Sequence, residues 1–144
     1  MLKVLSMLGY LGMVGGIIAQ LATGNLISSS AWAIAAQSGA ILLFVWARLT
    51  FGRRSYHVVA NPTEGGLVTS GPYRHIRHPI YTAMVVFSGA AVAANWSGAN
   101  ALLGGLVAIC ALMRITCEEI LVTARYPEYR QYAARTWRMI PYLY

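Results

Sequence analysis

The chain has 144 residues, 58% of them hydrophobic and only 10% charged, with a formal net charge of +7. A soluble domain is typically about 25% charged, so this composition excludes an ordinary water-soluble globule and points to a bilayer. The basic residues lie beside apolar runs and form no separate aromatic-basic platform, which argues against nucleic acid as a partner. Facing anionic headgroups, each basic residue is worth about 1 kcal/mol near the membrane surface.

The first apolar run, Val4 to Ala22, carries no charge. It follows Lys3 and precedes Ser28-Ser29-Ser30-Ala31, as a secretory signal would. Its apolar core is longer than a signal's typical 7–15 residues, so it reads as a retained span. Gly12 and Gly16 within it, four apart, suit close helix approach in lipid. A second run covers Ala31 to Ala47. Both fit the roughly 17–25 residues of a spanning helix. Gln20 and Gln37, polar within these spans, are expected to hydrogen-bond between helices.

Residues 48 to 78 form a longer polar segment with Arg48, Arg53, Arg54, His57, Arg74, His75, Arg77 and His78. Asn61-Pro62-Thr63-Glu64-Gly65-Gly66 marks a turn, Leu67-Val68-Thr69 a short extended piece, and Ser70-Gly71-Pro72 a second turn. Pro79 suits the first turn of a helix, where its missing N–H costs nothing. A third apolar run, Ile80 to Trp96, and a fourth, Ala99 to Met113, are short and extendable at their polar ends. Cys110 and Cys117 on the fourth are about 10 Å apart along a helix axis, too far for a disulfide within it. They read as packing residues.

Beyond Met113 the helical pattern continues through Ile115, Glu118, Glu119 and Val122 until Tyr126-Pro127 breaks it. Glu128 to Arg138 is expected as a short amphipathic helix lying in the interface, with Tyr129, Tyr132, Ala133 and Trp137 partly toward the membrane and Pro141 ending it. The expected fold is all-α and integral to the membrane: one domain of four transmembrane helices, with a cytoplasmic loop and a carboxyl-terminal interfacial helix. Residues 1–47 supply two amino-terminal spans and residues 48–144 a ligand-binding core. The loops Thr23 to Ser30 and Asn95 to Ala99 are uncharged. By the positive-inside rule both arginine-rich segments, and both termini, are cytoplasmic.

Two elements carry chemistry. Gly71-Pro72-Tyr73-Arg74-His75-Ile76-Arg77-His78-Pro79-Ile80-Tyr81 is a basic, aromatic loop entering the third span. Glu118-Glu119 lies at the polar end of the fourth. Adjacent residues on a helix point about 100° apart, so the two acids have different tasks. One pairs with Arg74, Arg77 or Arg138; the other is available to a ligand's amino or hydroxyl groups. Ion pairing alone also accounts for both. His75 and His78 lack an acid or cysteine at matching spacing, so no metal site is expected.

Arg77-His78-Pro79-Ile80-Tyr81, then Glu118-Glu119, then Tyr126-Pro127-Glu128-Tyr129-Arg130-Gln131-Tyr132 resembles the isoprenylcysteine carboxyl methyltransferase family. Membrane phospholipid N-methyltransferases share much of this pattern. The resemblance covers about residues 65 to 141, and the first two spans carry no matching motif. Two positions depart from it: Ala83 stands where glycine is frequent, and Arg125-Tyr126-Pro127 replaces an aromatic-glycine pair. The resemblance implies S-adenosylmethionine as cofactor, held at the cytoplasmic ends of the last two spans. Tyr73, His75, His78, Pro79, Tyr81, Glu118 and Glu119 would line its pocket, with Glu119 and Arg138 in catalytic positions. The implied acceptor is lipophilic or lipid-bearing, an isoprenylcysteine-like carboxylate first, entering sideways past Ser88, Gly89, Ala90, Gly104 and Gly105. The tail Arg138-Met139-Ile140-Pro141-Tyr142-Leu143-Tyr144 also resembles that of membrane sterol reductases, which use NADPH. A small membrane assembly protein without catalysis is the remaining reading.

Overall fold

In the computed structural model, residues 1–52 and 66–142 are described. His57, Arg53, Arg54 and the turn expected at 61–65 lie outside them. Five α-helices occur among the described residues: α1 (Leu2–Ala22), α2 (Ala31–Phe51), α3 (Pro79–Ala94), α4 (Gly98–Arg125) and α5 (Tyr129–Ala133). A 3₁₀ turn, Gly71–Arg74, precedes α3. No strand is present among the described residues. Leu67 to Thr69 is irregular, and a single isolated bridge joins Ile76 to Trp137.

α1, α2 and α4 are long and apolar enough to cross a membrane; α3, with 16 residues, is a shorter apolar helix. α1 packs along α4 and α2 along α3, and α3 joins the two pairs by packing on α4. The buried face of α1 is Ser6, Gly9, Met13, Gly16 and Gln20, spaced three and four apart. Its exposed face carries Val4, Leu8, Leu11, Ile18 and Leu21. Polar and small residues inside with leucines outside is the arrangement lipid requires, since apolar side chains gain nothing by leaving the tails. Gly16 sits against Val107, and Gly12 against Cys110, so both glycines serve close approach of α1 to α4. Gly104 likewise accepts Val92, whereas Gly105 meets nothing nearby. Both cysteines are buried and free.

Amide and hydroxyl side chains close one end of the bundle. Gln20 Nε2 donates to Asn100 Oδ1 at 2.9 Å, and Ser88 Oγ donates to Gln20 Oε1 at 2.8 Å. Asn95 Nδ2 reaches the carbonyl of Asn25 at 3.0 Å, and Gln37 Nε2 that of Leu26 at 2.7 Å. The two glutamines thus bond between elements, as their place in apolar runs implied. Such groups have no water to turn to within a bilayer, so each must find its partner in the protein.

The structure departs from the sequence reading at the other end. α4 runs unbroken for 28 residues, about 42 Å at 1.5 Å per residue. A hydrocarbon core is about 30 Å thick, so the helix is longer than a span needs, and Glu118 and Glu119 lie in its last two turns. The carboxyl-terminal helix expected over 128–138 covers only Tyr129–Ala133. After it the chain turns back to the motif loop, exchanging Arg77 N–H to Trp137 O (2.7 Å), Trp137 N–H to His75 O (3.0 Å) and His78 N–H to Arg138 O (3.1 Å). The Arg77 guanidinium also donates to the carbonyls of Ala133 and Thr136. These bonds replace the intrahelical ones that residues 134–138 would otherwise make.

Candidate active site at the polar end of the bundle

Backbone and side-chain contacts together aim the motif loop. Gly71 has φ +55, a left-handed conformation that suits glycine. A Cβ there would fall 2.6 Å from Thr50 Oγ1 of α2, so only glycine lets the loop lie this close. Tyr73 then stacks on Phe51 with ring centroids 5.4 Å apart. Pro79 is buried and begins α3, and Thr82 Oγ1 donates to the carbonyls of His78 and Met139, each at 3.0 Å. Loop, α3 and carboxyl-terminal segment are thus joined around His78.

The two acids sit in separate networks. Glu119 Oε1 faces Arg77 Nε at 3.0 Å, His78 Nε2 at 3.2 Å and the Tyr129 hydroxyl at 3.2 Å. Its Oε2 accepts from Arg138 Nε at 2.9 Å and Nη2 at 2.6 Å. Both oxygens are occupied. Glu118 Oε1 accepts from the Tyr81 hydroxyl at 2.5 Å and lies 3.1 Å from Arg114 Nε. Oε2 of Glu118 takes part in neither contact, and the side chain is 22% exposed. An ionised carboxylate has about four acceptor sites, so Glu118 retains capacity for a further donor.

The sequence-predicted residues divide accordingly. His78, Pro79, Tyr81, Glu118, Glu119 and Arg138 meet at one surface. Tyr73 is buried beside them, its carbonyl accepting from the Tyr132 hydroxyl at 2.6 Å. His75 is exposed and contributes its backbone, donating to Pro72 O and accepting from Trp137, while its ring stands outside the cluster. Tyr129, expected partly toward the membrane, is instead buried under Glu119, 7% exposed. Burial pushes the hydroxyls of Tyr73 and Tyr129 well above the ordinary tyrosine range, with Tyr132 and Glu119 respectively adding to the rise. The Tyr132 hydroxyl is pushed up to about 12 by burial, against Arg77. All three tyrosine hydroxyls therefore stay protonated at physiological pH, those of Tyr129 and Tyr132 as donors.

Arg114 is the site residue that the motifs did not reveal. It is buried on α4 and donates from Nε to the Tyr81 hydroxyl at 2.6 Å. Its spacing from Glu118, four residues along one helix, was the available signal. Next to the cluster lies an apolar groove of about 140 Å³ between α1, α2 and α3, lined by Ile17, Ala40, Ile41, Phe44, Met84 and Phe87 among others. Met84 is one helical turn beyond Tyr81. Of the small residues expected to leave an opening, Ser88 bonds Gln20 and Gly104 packs on Val92, while Gly89 and Gly105 have nothing within 4 Å of an added Cβ.

The model of the isoprenylcysteine carboxyl methyltransferase (ICMT) family matches residues 32–124. The chain belongs to that family. The match takes in α2, α3 and nearly all of α4, with the motif loop and both glutamates. It therefore reaches further toward the amino terminus than the quoted motifs do, because α2 carries no signature of its own beyond hydropathy. α1 and the carboxyl-terminal segment lie outside it. No curated protein and no solved structure matches the chain. Membership in a methyltransferase family, with apolar helices of spanning length, makes this an integral membrane protein of the methyltransferase class.

Proposed function

We propose that this ICMT-family protein transfers a methyl group from S-adenosylmethionine to a lipophilic acceptor at the cytoplasmic face, with an isoprenylcysteine-like carboxylate as the favoured acceptor. The observation that carries the reading is the division of the two acids: Glu119 is saturated by Arg77, His78, Tyr129 and Arg138, while Glu118 keeps an oxygen for a ligand. The donor set fits the cofactor. Glu118 suits its amino or ribose hydroxyl groups, the arginines suit its carboxylate, and Tyr73, Pro79 and Tyr81 offer flat walls.

When bound, S-adenosylmethionine supplies a methyl activated on a sulfonium, whose leaving group is a neutral thioether. The protein's part is alignment and exclusion of water, which can supply several kcal/mol of a barrier. Glu119 holds Arg77 and Arg138 in place with their Nε edges on its carboxylate, and the positive charge so fixed would attract an acceptor carboxylate. A carboxylate nucleophile needs no base. The groove beside Met84 suits the acceptor's apolar chain, entering from the bilayer.

Calorimetric titration of the purified protein is expected to show binding of S-adenosylhomocysteine and a tenfold or greater loss for His78→Ala. Binding of NADPH in place of S-adenosylhomocysteine would select the sterol-reductase reading. A labelled-methyl assay would then compare a prenylated thiol acid, an amine phospholipid and a water-soluble thiol, with transfer expected to the first. Efficient methylation of the soluble thiol alone would remove lateral entry and keep the methyl transfer. For sidedness, cysteines placed at Ser29 and Ser97 should label from outside, and one at Arg130 from inside. The reverse pattern would put the site on the other face.

A further inference from the structure

Arg114 lies 16 residues into α4, about 24 Å along its axis, a length shorter than a hydrocarbon core of about 30 Å. An ionisable group in a spanning helix is retained only with partners and is commonly part of a site. Its partners come from three helices. Nε donates to the Tyr81 hydroxyl of α3 at 2.6 Å and lies 3.1 Å from Glu118 Oε1 of α4. Nη1 donates to the Ser6 carbonyl of α1 at 3.1 Å. The guanidinium carbon sits 5.1 Å from the ring centroid of Tyr10, also on α1, within cation–π range.

A guanidinium only donates. With Arg114 donating to its oxygen, the Tyr81 hydroxyl must send its own proton elsewhere, and Glu118 Oε1 at 2.5 Å receives it. That hydrogen bond and the 3.1 Å ion-pair contact with Arg114 Nε both fall on Oε1, so the Glu118 carboxylate is held through one oxygen and Oε2 takes part in neither contact. We infer that Arg114 is a positioning residue for the methyl-donor site: it orients Glu118 and Tyr81 and, through Ser6 and Tyr10, makes α1 part of that site. α1 lies outside the residues matched by the family model. The inference rests on the methyl-donor reading above.

The test is a double-mutant cycle read by calorimetry with S-adenosylhomocysteine, with thermal unfolding in the same detergent as a check on folding. Arg114→Gln and Glu118→Gln are each expected to weaken binding about tenfold. The double variant is expected within about threefold of Glu118→Gln alone, because coupled residues are not additive. Arg114→Lys keeps the charge beside Glu118 while losing the forked reach to Ser6, and should recover part of the loss. If Arg114→Gln does not fold, the same cycle is run with Arg114→Lys. Additive losses near a hundredfold in the double variant, or parental affinity in Arg114→Gln, would overturn the role. A parent that binds no S-adenosylhomocysteine removes the methyl-donor reading and this role with it.

Discussion

Glu119→Ala is expected to abolish measurable S-adenosylhomocysteine binding and to release the carboxyl-terminal segment from the bundle. The carboxylate is the common acceptor for Arg77, His78, Tyr129 and Arg138, which come from the motif loop and the chain beyond α4. Its side chain is only 16% exposed. Removing one partner of such a buried cluster costs roughly 3–5 kcal/mol, because the remaining charges are stranded. With Arg77 no longer anchored, its bonds to Ala133 and Thr136 lose their fixed donor. Trypsin should then cut at Arg138, half-buried in the parent, faster than in the parent. Glu119→Gln, able to accept but uncharged, should lie between. Equal trypsin resistance and affinity in Glu119→Ala and parent would refute the anchoring role.

The second large effect comes from a position remote from the site. Gly16→Leu should lower thermal stability by roughly 1–3 kcal/mol, the usual cost of overfilling a packed contact. An added Cβ at Gly16 would lie 2.7 Å from Val107 Cγ2 and 3.4 Å from the Leu103 carbonyl, and Val107 is wholly buried. α1 must therefore move off α4. Gly15→Leu is the internal control: nothing lies within 4 Å of its Cβ position, which faces out of the bundle. Differential scanning of both variants in one detergent checks the pair. Equal melting of the two would show that α1 does not hold α4 through its glycine face. Because Ser6 and Tyr10 ride on the same helix, Gly16→Leu should also weaken ligand binding several-fold, whereas Gly15→Leu should not.

The membrane class, the helical character and the motif pair are legible in the bare chain. Hydropathy is a local, additive property, so Val4 to Ala22 and Ala31 to Ala47 announce helices whatever surrounds them. Pro79 at the start of α3 and Tyr126-Pro127 at the end of α4 act on their own backbones, and both boundaries follow from them. Arg-His-Pro-Ile-Tyr and Glu118-Glu119 are expected to meet, because a basic loop and two acids at the ends of adjacent apolar runs attract one another. That the two glutamates differ in task was legible, but not which of them takes which partners. Neighbours in sequence differ by about 100° around a helix, and which direction meets Arg138 or Arg114 depends on how α4 is rotated against α3 and α1. The short α5 belongs to the same class: an amphipathic pattern over 128–138 is cut at Ala133 because Trp137 and Arg138 find backbone partners in a loop some sixty residues earlier. Tyr129 turns from the lipid to Glu119 for that reason. Local pattern determined which segments are helices and where the charged motifs lie; long-range pairing, invisible to any window of sequence, decided which acid has both oxygens paired and which is paired through one.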